Sequence, residues 1–455
     1  ISMPDAVARD GLFFGYFSDG GAVGSKDMKE MFIEVEAPLL ANKRLAKELN
    51  INVSARLTDD EIYGSNTTES VKIGYRPVNS LLLRATYGSA YRAPNLRELF
   101  LMNQTGFGTI SDPCYAPDEA IDLFTGEYIP ENDTRDQIIL QNCAANGVDP
   151  TIASGFSSYS VELSTGGSLT LDPETADSWT AGFSWDQEFS NEFDLAVGAT
   201  YYEVDIDGTI IEPSGGYIIS DCYGSLTGNS PFCERITRDL SDPTDPYITL
   251  LDAGFLNRDN EKARGVDVNL NFGDTITISG KPFELDIDIR ATRVIERSTL
   301  FITDSGEEDF NEYQGQWGFA KWKGNSYVTL RWDQYRVLWT TRYTAAVDQN
   351  PIGIDPFSDI YDTAGTGFFG DTCQGPAYGD VTCRDVGFTD DYFVHSLSAT
   401  YEEDNYAITV GARNILDEAP PRVDGNEITS KNNAAIGYGY DMSGRTYYLL
   451  AAYKF

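Results

Sequence analysis

An all-β, antiparallel transmembrane barrel is the fold class this sequence predicts, and three observations predict it. Segments of period-two alternation follow one another along the chain. The connections between them alternate short and long. The last strand, Gly444 to Phe455, carries Tyr447, Leu449, Ala451, Tyr453 and Phe455 on one face, apolar in the middle and aromatic at both ends. An apolar band between two aromatic girdles suits a lipid bilayer.

The alternating segments come in order. Met31, Ile33, Val35 and Ala37 share one face, with Glu34 and Glu36 on the other. Leu49, Ile51, Val53, Ala55 and Leu57 alternate with Asn50, Asn52, Ser54 and Arg56. Residues 71–75 and 81–87 form a hairpin around Pro77-Val78-Asn79. Trp179 to Trp185, Phe193 to Tyr201, Arg264 to Phe272 and Phe283 to Ala291 follow, the last placing Glu284, Asp286, Asp288 and Arg290 on an inner wall. Residues 328–332, 337–343, 393–401 and 406–412 precede the terminal strand. Alternation this sustained gives each strand one apolar and one polar face. The count is about thirteen strands, an odd number that fits part of a larger barrel, since closed bacterial barrels are even.

Long connections are expected at 58–68, 90–173, 207–260, 297–323, 347–389 and 414–442. Up-and-down strands place them all on one rim, opposite Phe455. Long extracellular loops and short periplasmic turns are the polarity of an outer-membrane barrel. Residues 1–28 are expected to be an extracellular loop segment and 29–455 barrel. Ile1-Ser2-Met3-Pro4-Asp5 has neither a basic region nor an apolar stretch, so the chain is read as beginning in mid-protein.

Composition excludes several functions. With 33 basic and 71 acidic residues the net charge is −38, which argues against a nucleic-acid partner. The mean hydropathy of −0.32 is compatible with a barrel because alternating strands average out as polar. The single histidine, His395, is in register with Phe393, Leu397 and Tyr401 and is read as interfacial rather than catalytic. No metal site or cofactor is expected, and no enzyme activity. Six cysteines lie in pairs within three long loops, Cys114 with Cys143, Cys222 with Cys233 and Cys373 with Cys383. Fifteen pairings are open to six cysteines; the local one closes each loop on itself. Disulfides imply an oxidising compartment and restrain loops expected to lack a core. Zinc is the competing reading, but close CxxC spacing and nearby histidines are missing.

Four stretches carry a family resemblance. Tyr91-Arg92-Ala93-Pro94 with Glu98-Leu99-Phe100, Pro173-Glu174-Thr175, Asn414-Ile415-Leu416-Asp417, and Gly444-Arg445-Thr446 with the terminal Tyr453-Lys454-Phe455 resemble motifs of TonB-dependent outer-membrane receptors. The resemblance implies a 22-stranded barrel of which this chain looks like the C-terminal part, without the N-terminal plug. It implies import of a scarce nutrient across the outer membrane of a Gram-negative bacterium. Partners would be the TonB–ExbB–ExbD complex, engaged through the N-terminal part, outer-membrane lipids and a surface lipoprotein.

An oligosaccharide or peptide is the substrate expected; a ferric siderophore, cobalamin, or a passive porin or adhesin role is the alternative. Flat rings in the loops are the candidate contacts, because they pack on sugar rings and hydrogen-bond at their edges. These are Tyr313, Trp317 and Trp322 in one loop, Tyr217 and Tyr223 in a second, and Phe368, Phe369 and Tyr378 in a third. Arg92 and Glu98 are read as structural.

Overall fold

The computed structural model describes residues 5–10, 12, 20–102, 104–122, 124–153, 158–189, 193–226, 228, 230–302, 308–347, 361–362, 383–384, 390–421, 430–431, 434–437 and 439–454. Thirteen strands pair antiparallel in chain order to form one curled sheet. They are β1 (Met28–Lys43), β2 (Ala46–Asp60), β3 (Gly64–Val78), β4 (Leu81–Arg92), β5 (Glu174–Phe189), β6 (Phe193–Ile211) and β7 (Leu256–Ile278). Then follow β8 (Lys281–Ile302), β9 (Trp322–Trp332), β10 (Tyr335–Thr344), β11 (Tyr392–Glu402), β12 (Tyr406–Arg413) and β13 (Thr446–Tyr453). A further strand, Glu308–Glu312, pairs with the outer end of β8.

Tight turns close one rim. Asn42, Leu45, Ser279 and Asp333 adopt positive φ there, and Gly280 does so beside Ser279, giving the twist a two-residue hairpin turn needs. The hairpin from β3 to β4 turns at Asn79-Ser80, with an irregularity between Tyr75 and Val78 that absorbs Pro77. One expected long loop is corrected. β2 and β3 pair as far as Asp60 and Gly64, so 58–68 is strand except for a turn at Glu61-Ile62-Tyr63. The Asp60 carboxylate accepts the Ile62 and Tyr63 N–H groups and pins that turn.

Register separates the two faces. On β9 to β13 the outward side chains include Val328, Leu330, Val337, Leu397, Ile408, Val410 and Leu449. Along the short-turn rim aromatic rings touch in series: Phe283 and Trp332 at 5.4 Å, Trp332 and Tyr335 at 5.4 Å, Tyr335 and Tyr401 at 5.2 Å, and Tyr401 and Tyr406 at 6.0 Å. Phe189, Phe193 and Phe272 continue the series. Toward the other rim Tyr343 stacks on Phe393 and Trp339 packs against His395, whose Nδ1 lies 2.9 Å from Thr341 Oγ1. From Trp322 to Trp332 the strand rises about 33 Å. A tilt of about 40° leaves about 25 Å of height, the thickness of an outer-membrane apolar band.

The main hydrophobic core lies outside the sheet, and this corrects the expectation that the long loops lack one. Segments 93–173 and 212–255 fold together. Strands Gln104–Ser111, Ser158–Thr165, Tyr247–Asp252 and Ile236–Asp239 pair in that order, the middle pair parallel. Helices Gln137–Ala145 and Gly215–Gly224 cover them. Ile110, Val148, Val161, Ile218, Ile248 and Leu251 are buried at the centre with both disulfides. Cys114–Cys143 and Cys222–Cys233 are formed, with Cα–Cα distances of 5.5 and 4.8 Å. Cys373 and the side chain of Cys383 lie outside the described residues. Phe301, at the outer end of β8, packs edge-on against Tyr217 at 5.4 Å and contacts Phe232 at 5.7 Å, which ties this lid to the wall.

Candidate functional site: an inward wall beneath a folded lid

Three of the four sequence motifs prove to be corner pieces. At the end of β4, Asn95 caps the short helix Leu96–Phe100, its side chain accepting the N–H groups of Arg97 and Glu98. The Glu98 carboxylate accepts the Asn95 N–H at 2.7 Å and both of its oxygens accept from Arg92 at 3.0 Å. Arg92 also donates to Glu174 at the start of β5, and Glu174 accepts the Ile210 N–H from β6. One guanidinium therefore joins three strands at the lid hinge, as the structural reading of Arg92 and Glu98 expects. Asn414, fully buried at positive φ, clamps the chain after β12 by exchanging two hydrogen bonds with the Glu418 backbone. Asp417 accepts the Arg445 N–H and ties that corner to β13.

Inside the lid, Arg238 donates to both oxygens of Asp112, at 2.6 and 3.0 Å, and to Tyr223 Oη at 3.0 Å. Both charged side chains are nearly inaccessible. Burial works against the Arg238 charge, but the Asp112 carboxylate outweighs it and holds the guanidinium above its ordinary value. The Tyr159 hydroxyl donates to Asp112; burial, and then the negative charge beside it, push the phenol up. Arg135 is a second hub. It donates to the carbonyls of Pro113 and Tyr115 at 2.9 Å, to that of Pro150 at 2.7 Å, and to the Asp133 carboxylate. That partner holds the Asp133 carboxyl well below the usual range.

The expected aromatic contacts separate into packing and open positions. Tyr223 is 2% exposed and Trp317 7%. Tyr223 belongs to the lid core, and Trp317 packs with Ala320, Val347, Ala435 and Tyr440. Tyr217 sits against Phe232 and Phe301. Trp322 begins β9 on the outward face, under the Arg293 guanidinium. Tyr313 is half-buried near the outer end of β8, its ring 5.6 Å from that of Phe319. The structure does not bring these five rings into one site. Phe368, Phe369 and Tyr378 lie outside the described residues.

The inward face is what the loop-centred reading missed. Three clefts open on it. One of about 510 Å³ lies between β9 and β13 and is lined by Asn325, Thr340, Arg342, Ser396, Arg413 and Asp441 among others. One of about 470 Å³ holds Arg84, Thr200, Asp267, Asn269, Arg290 and Lys323. One of about 610 Å³ under the lid hinge holds Lys26, Glu30, Arg56 and Arg92. Strict alternation in the sequence already marks these polar side chains as sharing a face. Among the described residues no cluster of His, Cys, Asp and Glu has the form of a metal site.

A family model described as TonB dependent receptor-like, beta-barrel, matches residues 29–415. The fold is similar to the siderophore receptor PirA from Acinetobacter baumannii, with a TM-score of 0.52 and 13% identity over 94% of this chain and 46% of that one. It is similar also to a variant of the ferric enterobactin receptor PfeA from Pseudomonas aeruginosa in complex with enterobactin, with a TM-score of 0.52 and 14% identity over 99% of this chain and 49% of that one. A stretch of 50 residues, 11% of this chain and 8% of the relative, is 38% identical to the vitamin B12 transporter BtuB of Vibrio cholerae. The chain thus spans about half the length of the solved receptors it resembles.

Proposed function

The chain belongs to the TonB-dependent receptor family of outer-membrane β-barrels, and from that premise we propose that it supplies the outer lid and part of the wall of an active importer. Outer loops capture a scarce solute, and the inward wall passes it on when an energised inner-membrane complex of the TonB–ExbB–ExbD type acts through the N-terminal part of the receptor. No covalent chemistry is assigned to the chain. The observation that carries this reading is the separation of surfaces. An outward apolar belt between aromatic girdles fits lipid, and a polar inward wall stands beneath a lid folded from loops of a single rim.

The solute is an oligosaccharide or peptide, with Tyr313 a ring placed near the lid to meet it. A ferric siderophore or cobalamin is the second reading, favoured by the named ligands of the similar receptors. Uptake of labelled candidate solutes by cells with and without TonB tests the proposal. Uptake that requires TonB supports an importer. Uptake that persists without it leaves a passive porin.

A further inference from the structure

The inward wall carries charge of the opposite sign to the chain as a whole. The sequence holds 71 acidic and 33 basic residues. Yet the inward side chains of β9 to β12 include Lys323, Arg331, Arg336, Arg342 and Arg413 against a single carboxylate, Glu402. Ion pairing accounts for the cations elsewhere on the wall: Arg92 with Glu98 and Glu174, Lys26 with Asp60, and Arg290 with Asp288. Among the described residues no carboxylate pairs with any of those five cations of β9 to β12, nor with Arg84 on β4. Arg342 and Arg413 line the same cleft from β10 and β12. Between them stand neutral hydrogen-bonding groups, Thr340, Ser396 and Asn325, with Asp441 at the margin.

We propose that this wall is an anion track whose site is the Arg342–Arg413 cleft, which binds carboxylate or phosphate-type oxyanions carried by the imported solute. The proposal rests on the import reading and narrows it to anionic solutes. Guanidinium groups present a planar fork that matches an oxyanion with two hydrogen bonds. A cleft lined by one sign of charge concentrates the complementary ion, and an acidic exterior makes such a local reversal the determining field. Two cations held without a partner carbon-acid inside a wall are a standing cost unless an anion visits them.

The test is titration calorimetry of the mature receptor in detergent, with inorganic pyrophosphate as probe and maltose as the neutral control. Wild-type protein is expected to bind pyrophosphate, more weakly as salt rises, and not maltose. The double variant R342S/R413S is expected to bind it about ten-fold or more weakly. Arg342→Lys, which keeps the charge and loses the fork, should fall between the two and guards against a fold defect in the double variant. Absence of pyrophosphate binding, or equal binding by wild type and double variant, overturns the proposal. Binding in detergent needs no energy source, so uptake that persists without TonB would defeat the import reading while leaving this result untouched.

Discussion

Arg84 reaches across a whole strand to Thr200. Its guanidinium donates to the Thr200 hydroxyl at 2.9 Å, from β4 over β5 to β6. The residue crossed is Gly182, paired with Arg84 on one side and Thr200 on the other. A Cβ there would stand 2.4 Å from the Ala199 carbonyl oxygen and 2.8 Å from the Thr200 hydroxyl. The inward wall is therefore tiled by side chains lying along it, and a small residue is what makes room.

Gly182→Ala should destabilise the wall by about 1–3 kcal/mol, the usual range for an overpacked site. Part of the strain falls on backbone, which a rotamer change cannot relieve. Denaturant unfolding of the purified protein in detergent measures it. A midpoint equal to wild type would show that Arg84 and Thr200 do not depend on this gap.

Val410 and Thr409 are neighbours on β12 that face opposite ways. Val410→Arg puts a charge in the apolar belt and should cost about 2–4 kcal/mol near mid-bilayer. Thr409→Arg, facing inward, should cost far less. Unfolding in lipid vesicles compares them. Equal costs would mean that the register argument assigns the wrong face to lipid.

Removing one partner of the buried lid pair is expected to be more damaging than any surface change. Arg238→Met leaves Asp112 buried beside Tyr159 without a cation, a loss of about 3–5 kcal/mol for a pair of this kind. The damage should stay in the lid. Limited proteolysis should cut within 93–173 and 212–255 while the strands remain protected.

Acid should loosen the same lid. Asp133 is held ionised by Arg135, so its folded carboxyl lies below the unfolded one. The stabilisation it contributes is complete above the ordinary carboxylate range and is lost as pH falls through and below it. Hydrogen exchange of residues 112–116 and 149–152 should accelerate between pH 5 and pH 3, values set by the ordinary carboxylate pKa of about 4. Asp133→Asn should already be loosened at pH 7 and respond less to acid.

How legible the molecule is from its sequence varies with the physics of each part. The wall is read well because lipid outside and water inside impose opposite demands on alternate residues, as Val410 and Thr409 show. The loop at 58–68 is misjudged because Thr58, Asp59 and Asp60 are polar on both faces. Pairing of β2 with β3 beyond the apolar belt leaves no hydrophobic period to follow. The lid core is missed for a different reason. Ile110, Val161, Ile218 and Leu251 come from segments far apart in sequence, each too short to display a period. Tyr223 and Trp317 look like ligand contacts in a loop because a sequence does not say what covers a ring. The inward cations are visible residue by residue, but their lack of ion-pair partners depends on which strands stand side by side.

The lid has an implication for biogenesis. Its two halves, 93–173 and 212–255, are the two tails of the β5–β6 hairpin, one bringing Cys114 and Cys143 and the other Cys222 and Cys233. Each disulfide closes within its own half, so oxidation can finish before the hairpin zips. The apolar interior can form only after it. Until then Ile110, Val161, Ile218 and Leu251 are displayed to the periplasm as a signal of an unfinished chain, available to holdases and degradative proteases. Pairing of two strands in the wall thus conceals the recognition signal carried by loops above it, and the lid doubles as a checkpoint on its own barrel.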